Sequence, residues 1–211
     1  MNPAEELLQG SKQLGVSLAP DMQEKLMQFL GLLSKWNKVY NLTAIREKNE
    51  MVSLHLLDSL AVLPHIWEGK WLDVGCGAGI PGLVFAIAKP NWQFDLLDSN
   101  SKKTSFVQQA IIELNLKNVR VHCARAEIWK PADRFDGIIT RAFSDITTFI
   151  RHTRHLMVQG GQWVAMKGRV NEIAGELPDG CRINQIVSLN VPGLHASRNL
   201  VIASCNGIKT T

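Results

Sequence analysis

The sequence lacks the features of membrane-spanning, secreted and zinc-binding proteins. None of its apolar runs approaches the roughly 20 residues that a transmembrane helix needs, and the acids Glu5 and Glu6 near the N-terminus are unlike a secretory signal. The four cysteines are widely scattered and form no C-x-x-C pair, which argues against a zinc site and against a disulfide framework. We therefore expect reduced thiols, a cytoplasmic location, no metal and no membrane partner.

The sequence also lacks a large excess of charge of either sign. Lysine and arginine together number 23 against 19 acids, and the net charge of +4 is too small to establish an acidic partner, so the distribution of charge must be examined. With 211 residues, of which 45% are hydrophobic, the chain has the size of one ordinary globular unit with room for a small appendage. A monomer is the expectation.

Residues 71–82 read WLDVGCGAGIPG and contain the most informative motif of the chain. An apolar run typical of a buried strand ends in three alternating glycines, Gly75, Gly77 and Gly79, and Pro81 suits the first turn of a following helix. A strand, a glycine turn and a helix in this order let a nucleotide-bearing ligand lie against bare backbone at the edge of a parallel sheet. Glycines suit this place because they have no Cβ and reach backbone angles closed to other residues.

The spacing of the glycines indicates which ligand. The dinucleotide fingerprint G-x-G-x-x-G requires its third glycine at the position of Ile80, but here that glycine comes one residue earlier. Asp73, at the end of the strand, can face a ligand ammonium and would be poorly placed beside a pyrophosphate. This D-x-G-x-G-x-G pattern resembles motif I of the methyltransferases that depend on S-adenosylmethionine (SAM), a cofactor without phosphate. A nicotinamide or flavin nucleotide, or a glycine turn without ligand, remains an alternative.

The periodicity of the chain predicts an α/β fold with a helical extension. Residues 1–67 read as helices packed on a domain of residues 68–211, the two forming a single globular unit. The second part alternates between strand and helix patterns, which is typical of a seven-stranded, mostly parallel sheet with helices on both faces and an antiparallel tail. Strands are expected near 71–75, 93–98, 118–123, 135–140, 162–167, 183–190 and 198–204. Helices are expected near 81–88, 101–115 and 145–157, with a short one near 171–176.

Two further strand ends carry residues that suit a nucleoside. Asp98 follows Gly79 by 19 positions, close to the ~20 expected of an acid that binds ribose hydroxyls, although it could instead cap the helix near Ser101. Asp95 is expected to face solvent. After the third strand, the backbone of Ala126 and the side chain of Glu127 are placed to address the purine edge, unless this is only a solvated turn.

The end of the fourth strand should be the place where methyl donor and acceptor meet. Arg141 there could pair with the cofactor carboxylate, orient a phosphate or stack on the acceptor base, and Phe143 offers a second stacking face. The surrounding sequence is basic and predicts a rim for a polyanion, although a solvated helix face is the simpler alternative. The residues assigned to this rim are Arg134, Arg141, Arg151, His152, Arg154, His155, Lys167, Arg169, Arg198, Lys102 and Lys103.

Two parts of the N-terminal region leave their roles open. Residues 35–46 mix Trp, Tyr, Asn and Lys, which suits either RNA contact or a packed helix end. His55 and Asp58 are three residues apart and share a helix face. A local hydrogen bond that orients the helix is favoured over a catalytic role for this pair.

Several segments together resemble one known family. They are Lys35-Trp36-Asn37 with Tyr40-Asn41-Leu42-Thr43, His55-Leu56-Leu57-Asp58-Ser59, Leu72-Asp73-Val74-Gly75 through Pro81-Gly82, Leu97-Asp98-Ser99, Arg141-Ala142-Phe143 and Lys167-Gly168. Spread over about residues 30–203, they closely resemble the RsmG (GidB) family of bacterial small-subunit ribosomal RNA guanine-N7 methyltransferases. The chain departs from the family at Ala196-Ser197-Arg198-Asn199-Leu200, where Glu-Arg-His is common before the strand, so the roles of the neighbours of Arg198 are in doubt.

The resemblance implies a class I SAM-dependent methyltransferase fold, SAM as cofactor, and 16S rRNA, the small ribosomal subunit or its assembly intermediate as partner. It also implies methylation of N7 of a single guanine in the 530 loop, at position 527. By the same matching, Gly75, Ile80, Ala126, Glu127 and Arg141 fall on the family's cofactor-binding positions. The full set of expected cofactor residues is Asp73, Gly75, Gly77, Gly79, Ile80, Asp98, Ala126, Glu127 and Arg141. The candidate acceptor-site residues are Arg141, Phe143, Lys167 and Arg198.

This chemistry needs no residue that transfers a proton. Guanine N7 has an exposed lone pair and no hydrogen, so the enzyme has only to align N7 with the sulfonium methyl group and to tolerate a base that becomes cationic. Cys76 is therefore given no catalytic role. A methyltransferase for a small molecule, a non-catalytic ligand sensor on the ribosome and, more distantly, a nicotinamide oxidoreductase remain the alternatives.

Overall fold

A seven-stranded sheet forms the centre of the computed structural model, which describes residues 2–45, 48–141, 143, 145–168 and 176–206. The strands lie in the order β3-β2-β1-β4-β5-β7-β6. Their bounds are Lys70–Val74 (β1), Gln93–Asp98 (β2), Val119–Cys123 (β3), Phe135–Thr140 (β4), Met157–Lys167 (β5), Cys181–Leu189 (β6) and Arg198–Cys205 (β7). Strands β1 to β5 are parallel, and β7 is antiparallel to both of its neighbours. The expected seven-stranded, mostly parallel sheet with an antiparallel tail is confirmed.

Helices cover both faces of this sheet. On one face α5 (Gly82–Ala88) and α6 (Ser101–Glu113) pack under the N-terminal helices α1 (Pro3–Gln13) and α2 (Pro20–Tyr40), whose apolar stripe includes Phe29 and Leu33. On the other face α7 (Ile146–Thr153) buries Phe149 against Trp163 of the sheet. The N-terminal helices thus pack on the sheet domain, while the domain boundary at residue 67 stays a prediction. None of the helices in the described part of the chain is long and apolar enough to cross a membrane.

Residues 48–60 change helix type twice. A short α3 (Lys48–Met51) continues into a π-helical stretch, Val52–Leu57, and ends as α4 (Asp58–Leu60). π-helical insertions are rare and often occur at functional sites, because the extra residue per turn redirects side chains. This stretch contains His55 and ends directly before Asp58.

Strand β5 begins earlier than its hydrophobic pattern indicates. The strand was expected to start near residue 162, but it starts at Met157. The helix expected over 145–157 is shorter, since α7 ends at Thr153 and a 3-10 turn follows it. The pairing with β4 is irregular between Phe135 and Gly137, and Gly160 has a φ of 82°. The glycine pair 160–161 therefore lies in a bulge inside the strand. The short helix expected near 171–176 lies outside the described residues except for Glu176, which is not helical.

The expectation of four free thiols is wrong for one pair. Cys181 starts β6 and Cys205 ends β7, and the two are directly opposite in the antiparallel register, where a disulfide joins them. Because this pairing depends on the sheet register, the separation of 24 residues in the sequence gave no indication of it. Cys76 and Cys123 are free.

Candidate active site

The glycine turn lies at the carboxyl edge of β1, where the chain order reverses between β2 on one side and β4 on the other. Gly75, Gly77 and Gly79 have φ values of 70°, 56° and 78°, which only glycine adopts without strain. The amides of Gly75 and Cys76 donate to the carbonyl of Leu97 at 2.8 and 3.1 Å, so the turn is fixed to the end of β2. A Cβ at Gly77 would make only an ordinary van der Waals contact, 4.0 Å from the carbonyl oxygen of Gly75, whereas a Cβ at Gly79 would lie 2.5 Å from a Leu83 methyl carbon. The first glycine therefore leaves room above the turn and the second permits close packing beneath it.

Asp73 is buried directly beneath this turn. Its Oδ2 accepts a hydrogen bond from the amide of Gly82 at 2.9 Å, while its Oδ1 is buried and has no hydrogen-bond partner among the described groups. The pKa of Asp73 is raised to about 7, chiefly by burial and also by nearby Asp98, while the Gly82 amide and Arg141 act in the opposite direction. The carboxyl group thus supports the start of α5 and keeps one oxygen without a protein donor. The side chain of Ile80 lies in the core, so only its backbone can face a ligand.

Asp98 ends β2 and fixes the turn from the other side. Its Oδ2 accepts from the amide of Gly77 at 2.9 Å and its Oδ1 from the amide of Asn100 at 2.8 Å. Asn100, and not Asp98, caps α6, so the helix-cap alternative for Asp98 is wrong.

Asp95 was also expected to face solvent, and this expectation is wrong. It is buried and contacts Nε2 of His122 at 2.5 Å, under the ring of Trp129. The connection between β3 and β4 covers this face of the sheet, so a polar residue in the strand pattern does not mark an open face here.

Three adjoining cavities follow this edge of the sheet. The Asp98 cavity, of about 210 Å³, is lined by Val74, Gly75, Leu97, Asp98, Ser99, Ala124, Arg125, Ala126, Glu127 and Phe143. The glycine-turn cavity, of about 250 Å³, is lined by Leu42, Thr43, Gly75, Cys76, Gly77, Ala78, Ile80, Lys103 and Arg141. The arginine cavity, of about 400 Å³, is lined by Thr43, Ala44, Ile45, Leu54, His55, Asp58, Arg141, Phe143, Met166, Lys167, Gly168 and Arg198. Because they share lining residues the three are adjacent, and together they are called the branched cleft.

The far end of the Asp98 cavity is formed by the turn after β3. Ala126 is buried there, and Glu127 pairs with Nδ1 of His152 on α7 at 3.0 Å. Both side chains of this pair are about one-third exposed or more, so Glu127 remains accessible from the cavity. The turn is thus attached to α7 and is not simply a solvated loop.

Arg141 stands at the boundary between the glycine-turn and arginine cavities, since it lines both. Its Nη1 lies 3.4 Å from the carbonyl of Leu54 and 3.9 Å from Oδ2 of Asp58. Phe143 lies between the Asp98 and arginine cavities, with its ring 5.4 Å from that of Phe149. Ala142 and Ser144, which flank Phe143 in the motif, lie outside the described residues.

The buried acid of the arginine cavity is Asp58, whose importance the sequence did not reveal. Its Oδ1 accepts from Nε of Arg198 at 2.9 Å, and only 3% of its side chain is exposed. Burial raises the pKa of Asp58, while Arg198 and Arg141 lower it. The sequence signal was the shared helix face of His55 and Asp58, but the two arginines are 83 and 140 positions away from Asp58 in the chain.

His55 is held in place without a charged partner. Its Nε2 lies 3.3 Å from the Thr43 hydroxyl and its Nδ1 lies 3.2 Å from the carbonyl of Leu54. Burial and, to a smaller extent, the charge of Arg141 lower its pKa to about 4, so the ring is neutral at neutral pH. The favoured interpretation of a local, orienting role fits this geometry.

The predicted basic rim separates into two groups. Arg141, Lys167 and Arg198 line the arginine cavity, Lys103 lines the glycine-turn cavity, and Lys167 donates to the carbonyl of Phe143. Other members lie towards the opposite edge of the sheet: Arg134 precedes β4, and Arg154 and His155 follow α7, where they bind the carbonyls of Asp179 and Trp129. A single continuous rim is therefore wrong, because α7 runs from one edge of the sheet to the other. Arg169 lies outside the described residues.

Residues 35–46 form a packed helix end in part, and the RNA contact left open for them stays a prediction. Trp36 packs on Phe106 at 5.6 Å, and the side chain of Asn37 binds the amide of Thr43 and the carbonyl of Ile45, as in a packed helix end. Val39 and Tyr40 are exposed, at 69% and 47%. Arg46 lies outside the described residues. Throughout the described part of the chain, no three His, Cys, Asp or Glu side chains are grouped as metal ligands.

Sequence comparison identifies close relatives over nearly the whole chain. Residues 22–201 match the GidB family, described as rRNA small subunit methyltransferase G. The chain is 48% identical over 202 residues to ribosomal RNA small subunit methyltransferase G of Laribacter hongkongensis, covering 95% of this chain and 98% of that protein. It is also 48% identical over 204 residues to the protein of the same name from Pseudomonas aeruginosa strain UCBPP-PA14, covering 96% and 95%.

Comparison of structures agrees on the fold. TrmN from Thermus thermophilus has a TM-score of 0.56 at 15% identity, covering 73% of this chain and 53% of its own. A SAM-dependent methyltransferase from Aquifex aeolicus has a TM-score of 0.54 at 18% identity, covering 71% and 91%. The class I, Rossmann-like methyltransferase fold is confirmed.

Proposed function

Since this chain belongs to the rRNA small subunit methyltransferase G (GidB) family, we propose that it transfers the methyl group of SAM to N7 of one guanine in the 530 loop of 16S rRNA, at position 527. The observation that carries the proposal is the branched cleft. A glycine turn and an acid typical of nucleoside binding meet a cavity lined by Arg141, Lys167 and Arg198 at a single edge of the sheet.

The residues of the cleft fit SAM. We assign Asp98 to the ribose hydroxyls and Ala126 with Glu127 to the adenine edge, because these groups line one cavity at the end of β2. Gly77 lines the glycine-turn cavity and has no side chain, which leaves room for the cofactor against the backbone. The unpartnered oxygen of Asp73 and the guanidinium of Arg141 give the amino acid part of SAM one negative and one positive group. When bound, SAM supplies a methyl group on a positively charged sulfur.

The protein's contribution to the reaction is alignment. N7 of guanine needs no general base, and the neutral His55 is occupied by Thr43 and Leu54, which agrees with a site that transfers no proton. We assign the acceptor base to the arginine cavity, against the ring of Phe143 or the guanidinium of Arg141, since RNA loop bases splay out and stack on such faces. We expect Lys167 and Arg198, which line the same cavity, to lie near phosphate groups of the bound RNA.

The direct test uses small-subunit rRNA from cells that lack this protein. The RNA is offered as naked rRNA, as an assembly intermediate and as the mature subunit, together with labelled SAM, and cleavage selective for N7-methylguanine maps the product. We expect one protein-dependent break in the 530 loop. Transfer to another site would overturn the assigned substrate but not the cofactor. SAM binding without transfer to any of the three RNAs would favour a small-molecule methyltransferase or a sensor.

A further inference from the structure

Asp58 is the only carboxylate among the described residues that line the arginine cavity. Its neighbours in that lining include three cations, Arg141, Lys167 and Arg198, and a histidine that is neutral at neutral pH. The two arginines come from different parts of the sheet, one after β4 and the other at the start of β7. Asp58 comes from neither part, since it begins α4 in the N-terminal region.

The contacts of Asp58 connect these separate elements. Its Oδ1 is 2.9 Å from Nε of Arg198, a charge-assisted hydrogen bond, and its Oδ2 is 3.9 Å from Nη1 of Arg141. Each carboxylate oxygen thus faces a different arginine. The same Nη1 also approaches the carbonyl of Leu54 at 3.4 Å, so residues 54–58 contact Arg141 twice.

The two arginines need this acid between them. Burial is the main cause that lowers the pKa of the Arg141 guanidinium. The positive charge of Arg198 lowers it further, which is the sign of repulsion between the two arginines, while Asp58 and Asp73 raise it. An acid that is 97% hidden from solvent is a poor source of stability, because its desolvation offsets most of its attraction for the arginines. A role in fixing the geometry of these guanidinium groups explains the placement better.

We infer that Asp58 is a positioning residue for methyl transfer, which holds Arg141 and Arg198 in place at the acceptor side of the cleft. This inference rests on the proposed function of the cleft. Since Arg141 lines both the glycine-turn and arginine cavities, its orientation affects how the acceptor is aligned with the cofactor. Asp58 itself need not touch either molecule.

The test replaces Asp58 with asparagine, which keeps the shape and removes the charge. Because misplacement by about 1 Å can reduce a rate about 100-fold, we expect kcat of Asp58→Asn to fall about 10- to 100-fold. The affinity for SAM and the KM for RNA should change much less than kcat. The matched control is Asp133→Asn, which breaks an exposed pair with Lys70 and should leave kcat unchanged.

A double-mutant cycle separates positioning from simple stabilisation. If Asp58 acts through Arg198, Asp58→Asn, Arg198→Gln and the double variant should lose similar amounts of kcat, because the two side chains act as one unit. Losses that multiply in the double variant would overturn the inference, as would a folded Asp58→Asn protein with wild-type kcat. Should Asp58→Asn fail to fold, kcat is measured in Asp58→Glu and Arg198→Gln instead. A folded Arg198→Gln protein with wild-type kcat would then overturn the inference.

A spectroscopic measurement distinguishes this inference from the proposed function. In protein labelled with ¹⁵N-arginine, the Nε–H of Arg198 should exchange slowly in the wild type and faster in Asp58→Asn. Unchanged exchange would overturn the role of Asp58 whatever the RNA assay shows. If exchange changes as expected but no RNA accepts a methyl group, then only the proposed function fails.

Discussion

The two sides of the cleft are built in different ways. The Asp98 and glycine-turn cavities are lined mostly by short runs of neighbouring residues, 74–78 with Ile80, 97–99 and 124–127. The arginine cavity is lined by side chains from five separated segments, which begin at Thr43, Leu54, Arg141, Met166 and Arg198. A surface made of backbone in a local turn needs particular glycines at particular spacings. A surface made of charged side chains needs only that the fold bring them together.

The two sides also differ in which groups donate hydrogen bonds to their carboxylates. Asp98, on the first side, is held by the backbone amides of Gly77 and Asn100, whereas Asp58, on the second, is held by two arginine side chains. Amides of a turn are fixed by the chain itself, but arginine side chains must be held in place by a partner. Substitutions on the first side should therefore affect SAM binding or stability, and those on the second should affect turnover.

The largest effect is expected where the two sides meet. Replacing Arg141 with alanine removes a cation that lines both cavities, and we expect turnover at saturating SAM to fall about 100- to 1000-fold, as for the loss of one preorganised electrostatic group. Single-turnover methyl transfer measures this, with Arg120→Ala on the exposed face of β3 as control. Near-normal turnover in the Arg141→Ala variant would remove this residue from the site.

The next effect tests the Asp98 cavity alone. Asp98→Ala should raise the Kd for SAM about 100-fold, because two hydrogen bonds to a charged acceptor contribute about 1.5 kcal/mol or more each. The chain should still fold, since the amides of Gly75 and Cys76 keep their bonds to Leu97. Calorimetry with SAM measures the affinity, and Asp133→Ala serves as an exposed control. An unchanged affinity would contradict the assignment of Asp98 to ribose.

The same difference explains what the sequence could predict. The succession of strands and helices along the chain and the glycine turn were accessible because hydrophobic periodicity and glycine spacing are local signals. The interactions of Asp58 with Arg141 and Arg198 depend on long-range packing, so a shared helix face was the only sign of them. The Cys181–Cys205 pair and the burial of Asp95 were missed for a similar reason, since both follow from how strands and loops pair.

A smaller effect should follow a change in the backbone of the turn. Gly79→Ala places a Cβ 2.5 Å from Leu83 at a φ of 78°, so strain and overpacking should together lower the free energy of unfolding by about 2 to 4 kcal/mol. Urea unfolding measures this loss. The matched control is Gly31→Ala in α2, where the added Cβ meets no atom within 4 Å and should stabilise the helix by up to about 1 kcal/mol. Equal stability of the two variants would show that the turn tolerates a side chain.

The smallest effect concerns Asp73. Asp58 forms an ion pair with Arg198, whereas the hydrogen bond described for the Asp73 side chain comes from the amide of Gly82. Burial raises the pKa of Asp73 from an ordinary 3.8 to about 7 in the folded chain, so the folded state binds the proton more tightly than the unfolded state does. The stabilisation by this proton is complete below pH 3.8 and disappears as the pH rises through 7. Between pH 6 and pH 8 the free energy of unfolding should therefore fall by about 1.4 kcal/mol more in the wild type than in Asp73→Asn, which cannot ionise. Urea unfolding of both proteins across this range measures the difference, and parallel profiles would contradict it. Saturating SAM should reduce the dependence of the wild-type free energy of unfolding on pH if the ammonium of the cofactor is the partner that Oδ1 of Asp73 lacks. The charge of the acid on the glycine-turn side would then be balanced by a ligand, whereas the charge of Asp58 on the arginine side is balanced within the protein.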